Sequence, residues 1–440
     1  MTIDDEPMNS TASHIGEEMH RWIAGIFPIC RSITGNGVRE TLKCIQKRIP
    51  VEICEVPSGT KVFDWTVPLE WNVHDGYIKD LNGHRVVDFT QCNLHVVSYS
   101  QPVKQRMSLA ELKSHLYSIP EQPDWIPYRT SYYKESWGFC LSHNDLLRLK
   151  DEQYDVCIDA SLKAGHLTYG ECFLQGTTQE EVLISTHVCH PSMGNDNLSG
   201  VSVATFLAEG LLAKPLRRYS YRFLFVPGTI GPITWLSRNQ GVASRVKHGL
   251  VLTGLGDAGA FTYKKSRQGD AVIDRVMCHL LKHAGEQFNV IDFFPYGYDE
   301  RQYCSPGFNL PVGCFMRTPH SQYPEYHTSA DDLAFVKPDS LARSLAHCEA
   351  AVDILENNRT YQNQSPFGEP QLGKRGLYRA VGGQAGVKSL EMALLWVLNL
   401  SDGRHSLLDI AERSNLPFEN LARAASALME HSLLSVAPSQ

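Results

Sequence analysis

The stretch that decides the fold is Val182-Leu-Ile-Ser-Thr-His187-Val-Cys-His190-Pro-Ser-Met-Gly-Asn-Asp196-Asn-Leu-Ser-Gly200. It begins as an apolar run with β-branched residues, and this run ends at His187. A second histidine, a proline, a turn-rich segment and an acid follow, and after Gly200 the pattern becomes apolar and helical. This order predicts a strand, a loop and a helix. The metal-type ligands then lie at the carboxyl end of the strand, where open α/β sheets place their sites.

The pattern around this stretch predicts an α/β fold with a mixed, mostly parallel sheet flanked by helices. Apolar strand-like runs at residues 219–226, 249–254 and 310–316 alternate with segments of helical periodicity. Strands that alternate with helices of ten or more residues are typical of parallel sheets.

Changes in composition along the chain predict its domains. Residues 1–60 and 150–360 form the discontinuous main domain, and the aromatic, proline-containing residues 61–149 form an inserted β-rich module. Residues 361–388 are predicted to be a linker, and residues 389–440 a winged helix. The last helix of that winged helix has Arg423 among Glu419 and Glu430, so DNA binding is disfavoured and a packing or protein-docking role is favoured.

Charge and apolar content exclude several function classes. The 440 residues include 41 Lys and Arg and 48 Asp and Glu, a net charge of −7, which is unlike a nucleic-acid-binding surface or a polybasic membrane patch. No apolar run reaches the roughly 18–20 residues that span a bilayer, and the polar, acidic amino terminus does not resemble a signal peptide. The 12 cysteines have no C-x-x-C spacing. We therefore expect buried free thiols and a cytoplasmic location.

Three residues are candidate ligands for one metal ion. His187 ends the predicted strand, Asp196 lies in the following loop, and His327 lies in a turn-rich loop after a later apolar strand. Catalytic zinc sites use about three His, Asp or Glu ligands and leave a position open. The spacing alone does not separate these roles from loop capping.

The chain resembles the group of zinc aminopeptidases that also includes glutamate carboxypeptidases and glutaminyl cyclases. It is more similar still to a branch whose members combine an aminopeptidase-like domain, an inserted β module and a C-terminal winged helix. The runs that support this resemblance cover nearly the whole chain: Pro28-Ile-Cys-Arg-Ser-Ile-Thr-Gly, Ser58-Gly-Thr-Lys-Val-Phe-Asp-Trp, Trp137-Gly-Phe-Cys, His187-Val-Cys-His-Pro, Asp196-Asn-Leu-Ser-Gly, Asp299-Glu-Arg-Gln-Tyr-Cys-Ser-Pro and Tyr323-Pro-Glu-Tyr-His-Thr-Ser-Ala-Asp. The resemblance implies that His187, Asp196 and His327 bind one zinc ion.

One departure from the family pattern concerns the general base. The aminopeptidases have a Glu-Glu pair after the next strand, and the closer branch has Pro-Glu-Thr-Ile-Gly there. This chain has Val226-Pro-Gly228-Thr-Ile-Gly, so Gly228 stands where the base should be. Glycine has no group that accepts a proton, and losing a general base removes about 10²–10⁴ in rate.

Three residues are candidates to replace the base, and a fourth is a candidate to handle the proton. They are Glu325, two residues before His327; Glu300, in a loop after an aromatic segment; His320, which titrates near neutral pH; and Tyr298, which stands where the branch has a small residue.

Other polar residues are candidates for supporting roles. His190, Arg301 and Arg317 are candidate substrate-binding residues, the two arginines as carboxylate clamps. Asp257 is a candidate fourth ligand or an orienting partner, with a turn acid as the alternative.

The sequence as a whole predicts a zinc-dependent hydrolase of aminopeptidase fold. Its substrate would be a small amide, peptide or aminoacyl conjugate in a biosynthetic pathway. One alternative is a non-hydrolytic metal enzyme, such as a cyclase or lyase, on the same platform. Another is an inactive binding or scaffold protein whose winged helix docks a protein partner. A homodimer stays open, and neither nucleic acid nor membrane is expected as a partner.

Overall fold

A computed structural model describes residues 10–377 and 385–438. The chain divides into two compact units, Met1–Ala271 with Asn289–Ala346 and Val272–Phe288 with His347–Gln440. Among the described residues, no helix is both long and apolar enough to cross a membrane. The predicted absence of a signal peptide concerns residues 1–9 in particular, and these lie outside the described residues.

The helices, in chain order, are α1 Ser10–Ile26, α2 Asn36–Gln46, α3 Leu109–Leu112, α4 His143–Arg148, α5 Gly200–Ala213, α6 Ile230–Arg238, α7 Gln240–Ala243, α8 Val272–His283, α9 Glu300–Tyr303, α10 Pro338–Asn357, α11 Ala385–Leu400, α12 Leu407–Ser414 and α13 Phe418–Glu430.

The strands are β1 Glu52–Pro57, β2 Lys61–Val62, β3 Trp65–Thr66, β4 Glu70–Lys79, β5 Arg85–Asp88, β6 Val103–Ser108, β7 Leu116–Tyr117, β8 Phe139–Cys140, β9 Gln153–Lys163, β10 His166–Leu174, β11 Glu181–His187, β12 Ser220–Val226, β13 Val246–Leu252, β14 Phe261–Lys264, β15 Phe288–Ile291, β16 Val312–Met316, β17 Thr360–Asn363, β18 Asp402–Ser406 and β19 Leu434–Val436.

The main sheet has the strand order β1-β10-β12-β11-β13-β16-β14-β15. Strands β12, β11, β13 and β16 are parallel, whereas β1, β10 and β14 pair antiparallel to their neighbours. Every residue of β11 and β12 is buried, as expected for central strands that helices cover on both faces. The predicted mixed α/β fold is confirmed.

The register of the main sheet sets the position of the candidate site. His187, the last residue of β11, pairs with Val226, the last residue of β12. The loops that follow these two strands therefore begin side by side at one edge of the sheet. The quoted stretch folds as predicted, with α5 beginning at Gly200.

A second, antiparallel sheet has the order β5-β4-β9-β6. Strand β4 pairs with both β5 and the long strand β9, which also pairs with β6. Three of these strands come from the segment that is rich in aromatic residues. The predicted domain limits at residues 60, 150, 360 and 388 stay predictions.

The second unit contains the winged helix, and its prediction is confirmed. Helices α11, α12 and α13 pack together beside the antiparallel sheet β18-β17-β19. In the predicted linker, residues 378–384 lie outside the described residues, and β17 at its start is ordered by pairing with β18 and β19. The pairing partners of β17 are distant in sequence, so local composition does not reveal this strand. Arg275 of α8 pairs with Asp409 and Glu412 of α12 within this unit.

Candidate functional site

His187, Asp196 and His327 converge at the edge of the main sheet. His187 Nε2 lies 2.8 Å from Asp196 Oδ1, and His327 Nε2 lies 3.1 Å from Asp196 Oδ2. Burial alone would raise the pKa of Asp196, but the nearby His190, together with His187 and His327, holds the pKa of this carboxyl well below its usual range. The three predicted ligands are therefore neighbours around one buried carboxylate.

His190 is a fourth member of this cluster. Its Nδ1 lies 3.1 Å from the Asp196 carbonyl oxygen and 3.4 Å from Asp196 Oδ1. The buried Arg31 donates hydrogen bonds to the carbonyls of His190 and Pro191, at 2.7 and 3.1 Å. These contacts make His190 a candidate metal ligand as well as a candidate substrate-binding residue.

The loop that presents Asp196 is held by a second buried acid, Asp331. The backbone N–H groups of Asn195 and Asp196 donate to the Asp331 carboxylate at 2.5 and 2.9 Å. Burial raises the pKa of Asp331 to about 8. The Asn197 side-chain amide donates to Thr186 Oγ1 at 2.8 Å and lies 3.2 Å from His187 Nδ1. These contacts orient the cluster from behind, as supporting residues do in metal sites.

The donor set fits a metal ion of the zinc type. The candidate ligand atoms of His187, His190 and Asp196 lie within 4.8 Å of one another, and His327 Nε2 lies beside the same carboxylate. Zinc prefers imidazole nitrogen and carboxylate oxygen at roughly 2.0–2.2 Å. Separations of 2.8–3.4 Å between the donors are close to what such bond lengths require.

Gly228 leaves open the space where a base would stand. A Cβ at this position would meet Cys189 Sγ at 3.4 Å and His187 Cβ at 3.8 Å, both ordinary contacts. The next residue, Thr229, has φ of 65°, a costly conformation for a β-branched residue that is typical of functional sites.

Asp299, which the sequence pattern does not single out, lies next to this space. The Thr229 N–H donates to Asp299 Oδ1 at 2.8 Å. The other carboxylate oxygen is buried and has no hydrogen-bond partner among the residues that the structure describes. Burial raises the pKa of Asp299 to about 7. The signal available in the sequence was an acid at the start of the quoted Asp299-Glu-Arg run.

Tyr298 and His320 lie on the wall of the same site. The rings of Tyr298 and His187 stack with centroids 5.3 Å apart and planes at 19°, and the rings of Tyr298 and His320 meet edge to face at 4.9 Å. Burial raises the pKa of Tyr298 well above its ordinary value and lowers the pKa of His320. At neutral pH both side chains are therefore uncharged.

Glu300 and Glu325 receive no support from the geometry as replacements for the base. Glu300 is buried and accepts a hydrogen bond from the ammonium group of Lys264 at 2.8 Å. Glu325 is not among the described residues that line the cavity; its backbone carbonyl accepts hydrogen bonds from Thr328.

The predicted substrate-binding arginines are separated. Arg301 lines the cavity, whereas Arg317 donates to the Gly259 carbonyl at 3.0 Å and its guanidinium lies over the ring of Phe261 at 4.2 Å. Asp257 is engaged elsewhere, because its carboxylate oxygens accept hydrogen bonds from Thr318 at 2.6 Å and from Asn195 at 3.1 Å. It supports the loops rather than facing the histidines.

These groups surround a cavity of about 410 Å³. His187, His190, Asp299 and His327 form part of its wall. The rest is largely aromatic. Trp65, Tyr132 and Tyr133 come from the predicted inserted module, and Tyr296, Tyr298 and Tyr326 come from the predicted main domain. The site is therefore a polar cluster at the base of an aromatic-walled cavity.

Two protein-family models match the chain. One is described as a domain of unknown function (DUF4910) and matches residues 20–358. The other is described as a winged helix-turn-helix and matches residues 359–436.

The chain is also similar to proteins of known sequence or structure. A Clostridium acetobutylicum protein is 53% identical over 97% of this chain and 98% of its own length; its name provisionally assigns it to polysaccharide biosynthesis, with an aminopeptidase-like domain. A crystal structure from the same organism, provisionally called a peptidase, has 51% identity and a TM-score of 0.92, covering 97% of each chain. A zinc aminopeptidase from Bacillus subtilis has 13% identity and a TM-score of 0.57, covering 80% of this chain and 96% of its own. An identity of 13% shows a likeness of the fold alone. At the level of the fold, the predicted resemblance to the zinc aminopeptidases is confirmed.

Proposed function

The chain belongs to the family described as a domain of unknown function (DUF4910), and from this premise we propose that it is a zinc-dependent hydrolase of aminopeptidase fold. Its substrate would be a small amide, peptide or aminoacyl conjugate. The observation on which this proposal rests is that His187, Asp196 and His327 meet in one cluster, beside a cavity that His187, His327 and Asp299 line.

We assign metal binding to His187, Asp196 and His327, with His190 as a further donor or a substrate-binding group. A zinc ion bound there supplies the positive charge that polarises an amide carbonyl. Asp331 and Asn197 hold the loop and the His187 ring in place through the contacts described above.

We assign proton transfer to Asp299 in place of the missing base at Gly228. One carboxylate oxygen is fixed by the Thr229 N–H, so the other is left to accept a proton from the attacking water. A base acts on a proton that lies within about 2.6–3.2 Å, or one water away, and Asp299 shares the cavity wall with His187. Tyr298 keeps its hydroxyl proton at neutral pH and can donate a hydrogen bond to the substrate.

A biosynthetic setting is part of the proposal. Its support is the name of the Clostridium acetobutylicum relative, which refers to polysaccharide biosynthesis. We also propose a cytoplasmic location. It fits the cysteines, whose thiols are free, because disulfides form mainly in oxidising compartments.

Gly228 favours a second candidate function, a non-hydrolytic metal enzyme such as a cyclase or lyase. Such an enzyme needs a polarised carbonyl but no activated water, so the loss of the aminopeptidase base would not disable it. An inert scaffold is the third candidate, in which the winged helix docks a protein.

One experiment separates the three. The full chain is purified without added metal, its metal content is measured, and it is incubated in H₂¹⁸O with aminoacyl anilides, dipeptides and N-acetylated amino sugars. A hydrolase contains metal and releases acids labelled with ¹⁸O. A cyclase or lyase gives products without the label, and a scaffold contains no stoichiometric metal and turns nothing over.

Single substitutions test which residues bind the metal and which residue transfers the proton. Asp196→Asn is expected to lose both metal and turnover, and Asp299→Asn to keep metal but lose turnover. Glu325→Gln, which changes a carboxylate in the His327 loop that does not line the cavity, serves as the matched control and is expected to keep both. Turnover that survives in Asp196→Asn would contradict the proposed function.

A further inference from the structure

Two aromatic rings form a corner at the mouth of the cavity. The rings of Trp65 and Tyr133 have centroids 5.5 Å apart and planes at 69°. Their side chains are 38% and 54% exposed, although both line the cavity that contains His187. Large exposed aromatic side chains beside a polar cluster mark a binding surface. We call this pair the aromatic corner.

The local structure holds the aromatic corner in place before any ligand arrives. Trp65 pairs with Val62 in the β2–β3 hairpin, and Phe63 in the turn packs edge to face on Phe308 at 5.9 Å. A short hairpin that packs on Phe308 therefore presents the Trp65 ring. Rigid aromatic groups bind at a low entropic cost, because little freedom is lost when the ligand is seated.

Tyr133 is held in a strained backbone conformation. Its φ is 60°, a left-handed conformation that is unfavourable for a residue other than glycine. The preceding residue, Tyr132, is anchored by a hydrogen bond between its hydroxyl and that of Tyr128 at 2.9 Å and by edge contact with Tyr99. The left-handed turn thus places Tyr132, which is half-buried against the core, on the cavity wall and Tyr133 at the cavity mouth.

The polar groups of the cavity suit a neutral, hydroxyl-rich ligand better than a peptide amino terminus. Arg301 lines the cavity, and its Nε has no hydrogen-bond partner among the described residues. This guanidinium can donate a hydrogen bond to a hydroxyl, whereas a positively charged amino group offers it no acceptor. His320 on the same wall is uncharged, so its ring can both donate a hydrogen bond to a hydroxyl and accept one from it.

We propose that the substrate is an N-acylated amino sugar, whose pyranose ring lies against the aromatic corner while its amide reaches the cluster of His187, Asp196 and His327. This inference rests on the proposed function and names its substrate class. The C–H groups of a pyranose ring carry partial positive charge, and aromatic faces carry the complementary negative charge. The volume of about 410 Å³ lies at the small end of the range for ligand pockets, which suits one sugar ring with its acyl group.

The reaction balances without any redox partner. The oxygen of water bonds to the acyl carbon, and the bond between that carbon and the sugar nitrogen breaks. The nitrogen takes a proton, and the products are a carboxylic acid and a free amino sugar.

The test uses the metal-loaded full chain and saturation-transfer NMR. The sugar probes are N-acetylglucosamine, N-acetylgalactosamine and N-acetylmannosamine, and the matched acyl probe without a sugar is N-acetylleucinamide. We expect at least one sugar to bind through its ring protons. Trp65→Ala and Tyr133→Asn, the latter chosen because Asn tolerates a positive φ, should weaken that binding about tenfold, which corresponds to about 1.4 kcal/mol.

Trp65→Phe keeps an aromatic face and should retain most of the binding. Phe367→Ala, which removes an aromatic side chain that is 99% exposed in the other unit, should change nothing. Equal binding of a sugar to wild type and Trp65→Ala would overturn the inference. Hydrolysis of N-acetylleucinamide or a dipeptide with no sugar bound would also overturn it, yet leave the proposed function standing. A chain without stoichiometric metal that hydrolyses none of the probes would refute both.

Discussion

The backbone N–H of Thr229 donates a hydrogen bond to Asp299 Oδ1 at 2.8 Å. This bond joins the loop after β12, where Gly228 replaces the expected base, to the acid that precedes α9. It fixes one oxygen of the carboxylate and leaves the other without a partner among the described residues. The lost side chain and its proposed substitute are therefore neighbours in space, although 70 residues lie between positions 228 and 299 in the chain.

Asp299→Asn is expected to lower kcat by about 10²–10⁴, the usual cost of removing a general base. Asn keeps the acceptor for the Thr229 N–H, so the loop should hold its conformation and metal content should not change. The measurements are kcat on whichever amide the wild type hydrolyses and metal stoichiometry on the same samples. Asp299→Glu should retain part of the rate. An Asp299→Asn enzyme with wild-type kcat would remove Asp299 from the reaction.

Gly228→Glu is expected to restore part of the rate that Asp299→Asn loses. A side chain has room at this position, since its Cβ would make only ordinary contacts with Cys189 and His187, and the new carboxylate would stand where the family resemblance predicts a base. The double variant should therefore be faster than Asp299→Asn alone. Gly228→Gln in the same background is the matched control, because it has the same shape and accepts no proton.

Zinc is expected to raise the melting temperature of the wild-type chain, because a ligand that binds only the folded state stabilises it. Asp196→Asn should abolish this shift, since Asp196 contacts His187, His190 and His327. The measurement is thermal unfolding with and without a chelator. His84→Ala, which removes a histidine whose side chain is 79% exposed, should leave the zinc shift unchanged. A shift that persists in Asp196→Asn would place the metal elsewhere.

The sequence predicts much of this site because several of its signals are local. A strand that is buried on both faces is largely apolar, so the sequence pattern predicts β11. The types of residue at the end of this strand predict a metal site. The contributions of Asp299 and Asp331 were not predictable in the same way. Each depends on a hydrogen bond to a loop that is distant in sequence, the first to Thr229 and the second to Asn195 and Asp196.

A partner that is distant in sequence also explains why Glu300 is a candidate base in the sequence but not in the structure. An acid next to Asp299 in a motif-like run has the right chemistry, but its partner, Lys264, lies 36 residues earlier in the chain. Only the folded chain shows that these two charges are buried together.

Glu300→Gln is expected to destabilise the fold by about 3–5 kcal/mol, because it leaves the buried Lys264 ammonium without its counter-charge. Lys264 also donates to the Tyr296 carbonyl at 2.8 Å, so the segment before Tyr298 should loosen as well. The measurement is the free energy of unfolding from urea titration. Replacing both residues, as Lys264→Met with Glu300→Leu, should cost much less than Glu300→Gln. A stable Glu300→Gln variant with no turnover would instead return Glu300 to the list of catalytic residues.

His248 is expected to make stability depend on pH. It lies in β13 with 7% exposure, and burial lowers its pKa from 6.5 to about 4, with smaller contributions from the charges of Arg218 and Lys247. Between these two values the unfolded chain binds a proton that the folded chain does not, so stability falls as the pH falls. The stability that neutral His248 contributes is fully present above pH 6.5, falls as the pH falls below 6.5, and is lost once the pH has passed through about 4. The free energy of unfolding changes by at most about 1.4 kcal/mol per pH unit in this range.

The check compares His248→Gln with the wild type, using urea titrations across that pH range, because other buried groups titrate there in both proteins. The difference in unfolding free energy between the two should shift in favour of the variant as the pH falls from 6.5 towards 4. His84→Gln, at an exposed position, should follow the wild type throughout. Parallel curves for His248→Gln and the wild type would mean that His248 titrates alike in the folded and unfolded chain, and so that its burial does not set its pKa.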